Sequence, residues 1–188
     1  MYGGRDETKI YSDLWLFHIE RNEWEEIQIH PGLGMTPRFG HTAVMNNSKM
    51  LIFGGWDGNQ TLSDILEYNL VINQWDQVEA KGTIKGRYRH SAASNDKAMY
   101  VFGGIDQQQE RFNDIHEFMF GTSTWSRVIT IGNTPSKRTF HQSVMYANAY
   151  FYVIGGFDGQ KVNDMYRVKV CPVIAEPQIQ AMKEEVKV

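Results

Sequence analysis

The feature that most constrains the fold of this chain is an internal repeat with a period near fifty residues. Glycine pairs recur at steps of 51, 49 and 52 residues: Gly3-Gly4, Gly54-Gly55, Gly103-Gly104 and Gly155-Gly156. Aspartates follow these pairs, and tryptophans keep the same period: Asp13, Asp64, Asp114 and Asp164; Trp24, Trp75 and Trp125. An Arg-x-x-His element opens each complete repeat: Arg38 with His41, Arg87 with His90, and Arg138 with His141. Four kinds of marker in one register indicate several copies of a single structural unit.

The segments between the markers have the patterns of β-strands. Unbroken apolar runs at 50–53, 99–102 and 151–154 end at glycine pairs, which predicts strands buried on both faces. After each aspartate, apolar residues alternate, as at Trp15, Phe17 and Ile19, which predicts a strand with one buried face. Each unit therefore supplies about four short strands and cannot bury its sheet faces alone. Radial stacking of such sheets forms a β-propeller.

An aromatic residue precedes each tryptophan with six residues between them: Phe17 and Trp24, Tyr68 and Trp75, Phe118 and Trp125. Together with the glycine pairs, this spacing resembles the kelch motif over roughly residues 1–170. The resemblance implies an all-β, kelch-type β-propeller that is partial, with about 3.5 four-stranded blades. Two alternatives stay open for its completion: the chain is part of a longer ring, or a partner or second copy supplies the missing strands.

Residues 171–188 depart from the repeat, since Pro172 and Pro177 interrupt the strand pattern. We predict a C-terminal tail or linker here, and in kelch proteins the neighbouring domain is often a BTB domain. The stretch from Asp164 to Cys171 resembles the end of the kelch region in the leucine-zipper-like transcriptional regulator family.

Composition excludes several partner classes. The net charge is −3 and the basic residues are scattered, so no basic stripe points to nucleic acid. No run approaches the roughly 18 apolar residues that cross a membrane. Cys171 is the single cysteine, which precludes an intrachain disulfide and favours a reducing compartment. We predict a cytoplasmic protein, with the nucleus or cytoskeleton as alternatives.

Most of the repeated residues are interpreted as structural. The glycines are expected to adopt positive φ and to admit neighbouring backbone, and the tryptophans are expected in the core. The aspartates are expected to bond backbone groups at strand starts. His41, His90 and His141 occupy equivalent positions in successive blades, on the order of 10 Å apart, whereas zinc ligands lie about 2 Å from the metal. We therefore predict buried, hydrogen-bonded histidines.

No catalytic set stands out. Glu110, Asp114 and His116 are similar to the iron-binding set of the kelch nitrile-specifier proteins, but the histidine comes two residues too early. Galactose oxidase, a kelch-like enzyme, needs a cysteine cross-linked to a tyrosine, and Cys171 lies beyond the repeats. We predict no metal, no cofactor and no enzymatic activity.

The predicted binding surface is the face that carries the loops after the glycine pairs and the links between blades. These loops vary while their framework repeats, and variable loops on a fixed scaffold often carry recognition. Lys85 and Lys137, on the links, are expected on the same face. Trp56 and Phe157 are the expected anchors, since aromatic residues dominate interface hot spots. The wider predicted site comprises Asp57, Gln108, Arg111, Lys161, Arg38, Arg87 and Arg138.

The three arginines of that site have two interpretations. They order the start of the inner strand, or they ring the mouth of the central channel, where arginines of kelch substrate adaptors contact acidic peptides. The predicted function is a protein–protein interaction module, either a scaffold or the substrate-recognition part of a larger protein. Its expected partners are ubiquitin-ligase substrates or cytoskeletal or ciliary proteins. The alternatives are a kelch-like metal-dependent enzyme and an architectural subunit of a large assembly.

Overall fold

The computed structural model describes residues 1–28 and 35–170, so the predicted tail and Cys171 lie outside the described residues. These residues form fourteen strands in four antiparallel sheets, here called blades 1 to 4. Blade 1 contains β1 (Tyr2–Arg5), β2 (Ile10–His18) and β3 (Glu23–Glu26). Blade 2 contains β4 (Thr42–Asn46), β5 (Lys49–Phe53), β6 (Ile65–Asn69) and β7 (Gln74–Val78). Blade 3 contains β8 (Ser91–Ser94), β9 (Ala98–Phe102), β10 (Ile115–Met119) and β11 (Thr124–Val128). Blade 4 contains β12 (Gln142–Tyr146), β13 (Tyr150–Phe157) and β14 (Lys161–Lys169).

Blades of three, four, four and three strands confirm the all-β, partial-propeller prediction. Successive strands within each blade are neighbours, as expected for a meander joined by short turns. Within the described ranges there is no helix, and hence none long and apolar enough to cross a membrane.

The core consists of three apolar clusters, one between each pair of successive blades. Each cluster joins the face of one blade to the opposite face of the next. Between blades 1 and 2, the Trp75 ring lies 5.1 Å from the Tyr2 ring; between blades 2 and 3, the Trp125 ring lies 4.9 Å from the Phe53 ring. Both tryptophans are buried, which confirms their predicted place in the core.

Trp24 corrects that prediction for the first repeat. It contacts Phe17 of its own blade at 4.9 Å, yet it is 54% exposed. Each buried tryptophan is covered by the aromatic residue that precedes the glycine pair of the preceding blade, Tyr2 for Trp75 and Phe53 for Trp125. The described residues contain no blade on that side of blade 1. The same absence leaves Phe17 37% exposed, contrary to the predicted buried face. Ile19 is also exposed, but it lies on the turn after β2, and its equivalent in blade 2, Leu70, is 46% exposed as well.

The second strand of each blade shows how burial depends on neighbours. All of β9 is buried, and Leu51, Ile52 and Phe53 of β5 are at most 2% exposed, as predicted for strands covered on both faces. In β13, Phe151 is fully buried but Ile154 is 44% exposed. The prediction for 151–154 therefore holds on one face only, because only blade 3 covers this sheet among the described residues.

The first glycine of each pair allows close contact between blades. Gly54 has a φ of +65°, and a Cβ built there would lie 2.7 Å from the carbonyl oxygen of Arg87 in blade 3. The N–H of Gly55 donates to that same oxygen at 2.9 Å. Both predicted roles of the glycine pair, positive φ and backbone approach, are thus observed at one interface.

Candidate functional site

The three arginines of the predicted site are buried and fully engaged. Arg87 is unexposed and donates to both carboxylate oxygens of Asp114, at 2.7 and 3.1 Å. It also donates to the carbonyl oxygens of Gly103 and Lys85, at 3.0 and 3.1 Å. Arg38 with Asp64, and Arg138 with Asp164, repeat this arrangement in blades 2 and 4.

This geometry corrects two sequence predictions. Arg38, Arg87 and Arg138 are at most 1% exposed, so they cannot contact a partner in this arrangement, and the structural interpretation applies. Asp64, Asp114 and Asp164 bond these guanidinium groups rather than only backbone at the strand starts. Burial alone would raise the pKa of Asp114, but the hydrogen bonds and charge of Arg87 lower it overall.

Beside these ion pairs lies a cavity of about 290 Å³, here called the axial pocket. It forms where the starts of the inner strands of blades 2, 3 and 4 converge, with blade 1 contributing Arg5. Its lining residues are Arg5, Phe39, Gly40, His41, Arg89, His90, Phe140, His141 and Gln142.

Backbone hydrogen bonds between blades fix the rim of the axial pocket. The N–H of Arg89 donates to the Gly40 carbonyl at 2.7 Å, and the N–H of Phe140 donates to the Arg89 carbonyl at 3.2 Å. Gly40, Arg89 and Phe140 have φ values of 66°, 56° and 58°. The left-handed conformation costs a non-glycine residue about 1 kcal/mol or more and concentrates at functional sites. Phe140 combines this left-handed backbone with a side chain that faces solvent, since the residue is 59% exposed.

Two arginines at the axial pocket stack on aromatic rings without a carboxylate partner. The Arg5 guanidinium carbon lies 4.4 Å from the centre of the Phe39 ring. That of Arg89 lies 4.5 Å from the Phe140 ring and 4.9 Å from the Tyr88 ring. Within residues 1–28 and 35–170, the salt bridges do not include either arginine. Their positive charge is therefore available to a ligand.

The histidines of the axial pocket are structural and neutral. His90 Nε2 lies 2.8 Å from the Thr42 hydroxyl, and His141 Nε2 donates to the Phe102 carbonyl at 3.0 Å. Burial is the main cause that lowers the pKa of His141 to about 4, and burial with the nearby Arg38 charge does the same for His41. Burial also holds the pKa of His90 well below its usual value. His90 and His141 are buried as predicted, whereas His41 is half-buried.

The described part of the chain contains no group of three or more histidine, cysteine, aspartate or glutamate side chains arranged to hold a metal ion. In the Glu110, Asp114 and His116 set, Asp114 is already occupied by Arg87. Its other neighbour, His116 Nδ1, lies 3.4 Å from Asp114 Oδ2.

Trp56 and Asp57 lie on the predicted face but have local contacts. The backbone of Trp56 pairs with Phe39, and its half-buried ring lies 5.6 Å from the Tyr88 ring. Asp57 Oδ1 accepts the N–H groups of Asn59 and Gln60, both at 2.8 Å. Asp57 therefore stabilises the turn of its own loop. Trp56 lies beside Phe39, which lines the axial pocket.

The loops of blades 3 and 4 bring two other predicted residues together. The Arg111 guanidinium carbon lies 5.1 Å from the Phe157 ring centre. Gln108 and Lys161 are exposed nearby in sequence. The link lysines bond these loops: Lys85 to Asp106 at 2.5 Å, and Lys137 to Glu110 at 3.4 Å. Links and loops therefore share one face, as predicted.

Sequence reasoning missed four residues that line the axial pocket: Phe39, Gly40, Arg89 and Phe140. They belong to the variable pairs at 39–40, 88–89 and 139–140 inside the otherwise constant Arg-x-x-His element. The signal for these residues is their variation inside a fixed element, the same signal that identifies the loops after the glycine pairs as a candidate surface. The invariant arginines of the element belong to the framework, as is common for a residue that recurs in every blade.

Comparisons with known proteins agree with this architecture. A family model described as the KLHDC2/KLHL20/DRC7 kelch-repeats domain matches residues 1–171. Kelch domain-containing protein 3 from Homo sapiens is 34% identical over 160 residues, which cover 80% of this chain and 42% of that protein. The leucine-zipper-like transcriptional regulator 1 homolog from Drosophila melanogaster is 29% identical over 163 residues, which cover 82% of this chain and 17% of that protein. The chain thus spans less than half the length of these relatives. The match over nearly all of its repeats shows that the chain belongs to the kelch-repeat family, whose domains generally act as protein-interaction modules.

Proposed function

We propose that this chain is the recognition module of a larger interaction protein and that it binds an acidic segment of a partner at the axial pocket. The observation that carries the proposal is the pair of stacked arginines, Arg5 and Arg89, which lack carboxylate partners among the described residues. A guanidinium group presents a planar set of donors that matches a carboxylate. Stacking on Phe39 and Phe140 restrains each arginine before binding, which lowers the entropic cost of ordering it.

The size and polarity of the axial pocket favour a peptide segment. A volume of about 290 Å³ lies near the lower end for ligand pockets, so it accommodates one or two side chains rather than a folded domain. The exposed Phe140 ring offers apolar contact beside the charge. Because the pocket histidines are neutral at pH 7, the positive charge comes from the arginines.

The surrounding loops extend this surface. We expect Trp56, Phe157 and Arg111 to contact the flanking parts of a bound segment, and the exposed Gln108 and Lys161 to contribute at its edge. As partners of the complete protein we propose ubiquitin-ligase substrates, or cytoskeletal or ciliary proteins for which the propeller is a scaffold. The proposed compartment is the cytoplasm.

The test is selection of binding peptides from a random displayed library, followed by fluorescence anisotropy on the selected peptides. Glycine replaces Arg89 and Phe140 in the variants, because Gly40 already occupies the equivalent position at the same backbone φ. Arg89→Gly and Phe140→Gly should each weaken binding at least about tenfold, a loss of about 1.4 kcal/mol. Arg89→Gly should also reduce the dependence of affinity on salt.

Arg21→Ala is the matched control, because its 59% exposed side chain lies on the turn between β2 and β3, at the opposite end of the blade. This variant should bind like the parent chain. Trp56→Ala with Phe157→Ala tests the loops and should weaken binding without changing the circular dichroism spectrum. Selected peptides that lack acidic residues, or full affinity in Arg89→Gly, would contradict the proposed pocket.

A further inference from the structure

We infer that the acidic segment bound by this chain carries a second acidic residue, about three positions from the first, and that Arg111 binds it. The inference rests on the proposed function and adds to it the charge pattern of the partner. Its evidence is a second arginine–aromatic contact, Arg111 on Phe157, which lies outside the axial pocket and repeats the chemistry of Arg89 on Phe140.

Two arginine–aromatic contacts cross the boundary between blades 3 and 4. In the first, here called the inner stack, the Arg89 guanidinium carbon lies 4.5 Å from the centre of the Phe140 ring. In the second, the outer stack, the Arg111 guanidinium carbon lies 5.1 Å from the centre of the Phe157 ring. Both arginines come from blade 3 and both rings from blade 4, so a ligand that follows this boundary meets the two cations in succession.

In blade 3, backbone pairing sets the spacing between the two arginines. Tyr88, the residue before Arg89, exchanges two hydrogen bonds with Ile105, both at 3.0 Å. Ile105 pairs in turn with Arg111. Adjacent strands lie about 4.8 Å apart, so two such steps separate the Tyr88 and Arg111 backbones by about 10 Å. An extended segment advances about 3.3 Å per residue and covers this distance in about three residues.

In blade 4, the two aromatic rings are joined in the same way. The Thr139 N–H donates to the Phe157 carbonyl at 3.0 Å, and the Phe157 N–H donates to the Thr139 carbonyl at 2.8 Å. Because Phe140 directly follows Thr139, both rings are attached to one hydrogen-bonded pair of segments. The inner and outer stacks are therefore ordered relative to each other before binding, which lowers the entropic cost of binding a ligand to both.

The carboxylates nearest to the outer stack in sequence have other partners. Glu110 lies 3.4 Å from the Lys137 ammonium nitrogen, and Asp158 accepts the Ser136 hydroxyl at 2.7 Å. Within residues 1–28 and 35–170, the salt bridges do not include Arg111. Its buried Nε atom also has no hydrogen-bond partner in that part of the chain. The guanidinium of the outer stack thus keeps its charge and this donor for a ligand.

A carboxylate is the group that fits this arginine best. It presents two oxygens in one plane, so it accepts hydrogen bonds from Nε and a terminal nitrogen of Arg111 together. Blade 2 has Thr61 at the position of Arg111, paired with Trp56 as Arg111 is paired with Ile105. The repeat therefore does not require arginine here for folding. With the spacing set by blade 3, the two stacks match a segment in which two residues separate two acidic residues.

The test begins with peptides selected on the parent chain from a random displayed library. Acidic pairs separated by two residues should be enriched over adjacent pairs and over pairs five or more positions apart. One selected peptide is then compared by fluorescence anisotropy with two versions of it, each with one acidic residue replaced by its amide. Each amide version should bind the parent chain at least about tenfold more weakly.

Protein variants then assign each acidic residue to its arginine. Arg111→Thr installs the residue that blade 2 has at this position and should weaken binding of the selected peptide about tenfold. In Arg111→Thr one amide replacement should have no further effect, and in Arg89→Gly the other should have none, as expected of two direct contacts. Arg127→Thr is the matched control, because it removes the same charge from an exposed position of β11, the outermost strand of blade 3. This control should bind like the parent chain.

The outcomes separate the inference from the proposed function. Parent-like binding by Arg111→Thr, together with weakened binding by Arg89→Gly, would overturn the inference alone. Selected peptides with a single acidic residue, or with no preferred spacing, would do the same. Full affinity in Arg89→Gly would overturn the proposed function and the inference with it. The amide peptides are measured on the parent chain, so they test the second acidic residue even where circular dichroism shows a variant to be unfolded.

Discussion

Two glycines in the same position of the repeat allow the contribution of an interblade contact to be measured. Gly54 follows β5 and Gly155 lies within β13, at the equivalent position of the repeat, and their φ values are +65° and +60°. At Gly54 an added Cβ would lie 2.7 Å from the Arg87 carbonyl oxygen and 3.0 Å from the His90 ring. At Gly155 the nearest atom would be the Val162 carbonyl oxygen, at 3.2 Å. Substitution by alanine therefore has the same backbone cost at both positions but a different steric cost.

The magnitudes follow from these distances. The left-handed conformation costs alanine about 1–2 kcal/mol at either position. At Gly54 the Arg87 carbonyl must also move, and overpacking of this kind costs about 1–3 kcal/mol. The displacement weakens the 2.9 Å bond from Gly55 N–H to that carbonyl, whose net contribution is about 1 kcal/mol. We expect Gly54→Ala to lower the free energy of unfolding by about 3–5 kcal/mol and Gly155→Ala by about 1–2 kcal/mol.

The assay is urea denaturation of both variants and the parent chain, followed by circular dichroism at one protein concentration, because association would itself add stability. The denaturation midpoint should fall further for Gly54→Ala, with little change in slope. Equal losses in the two variants would refute the reasoning, since they would mean that the neighbouring blade adds nothing to the glycine requirement.

Two further predictions concern buried charge and protonation. Asp114→Ala should lower the free energy of unfolding by about 3–5 kcal/mol, because it leaves the unexposed Arg87 without its carboxylate partner. Asp164→Ala should lower it less, because the Asp164 side chain is already 37% exposed to water. Urea denaturation midpoints compare the two variants, and a larger loss of stability for Asp164→Ala would contradict the burial argument. Stability should fall as pH decreases from about 6.5 towards 4, because His141 has a pKa of about 4 when folded and about 6.5 when unfolded, so the unfolded chain binds more protons in this range. At pH 5 the protonation of this residue in the unfolded chain should lower the free energy of unfolding by about 1–2 kcal/mol relative to pH 7. His141→Gln should therefore reduce the slope of stability against pH. An unchanged slope would show that His141 is not the source of the pH dependence.

Much of the fold could be predicted from the local pattern. Glycine pairs, alternating apolar residues and regularly spaced tryptophans specify strands and turns through short-range chemistry, and their period specifies repeated blades. The predicted second strands at 50–53 and 99–102 lie within β5 and β9. The placement of loops and links on one face also followed from strand alternation, without knowledge of any contact.

The sequence by itself thus determined the repeat, the strands and the family, because these depend on residues close together in the chain. Only the tertiary structure decided which repeated residues are covered, because burial depends on the neighbouring blade. Trp24 and Trp75 occupy equivalent positions, yet one is 54% and the other 5% exposed. Likewise, Arg87 is buried against Asp114, whereas Arg89, two residues later, lines the axial pocket. That difference arises where three blades converge and adjacent backbones hydrogen-bond, a juxtaposition of segments about fifty residues apart that no local pattern encodes.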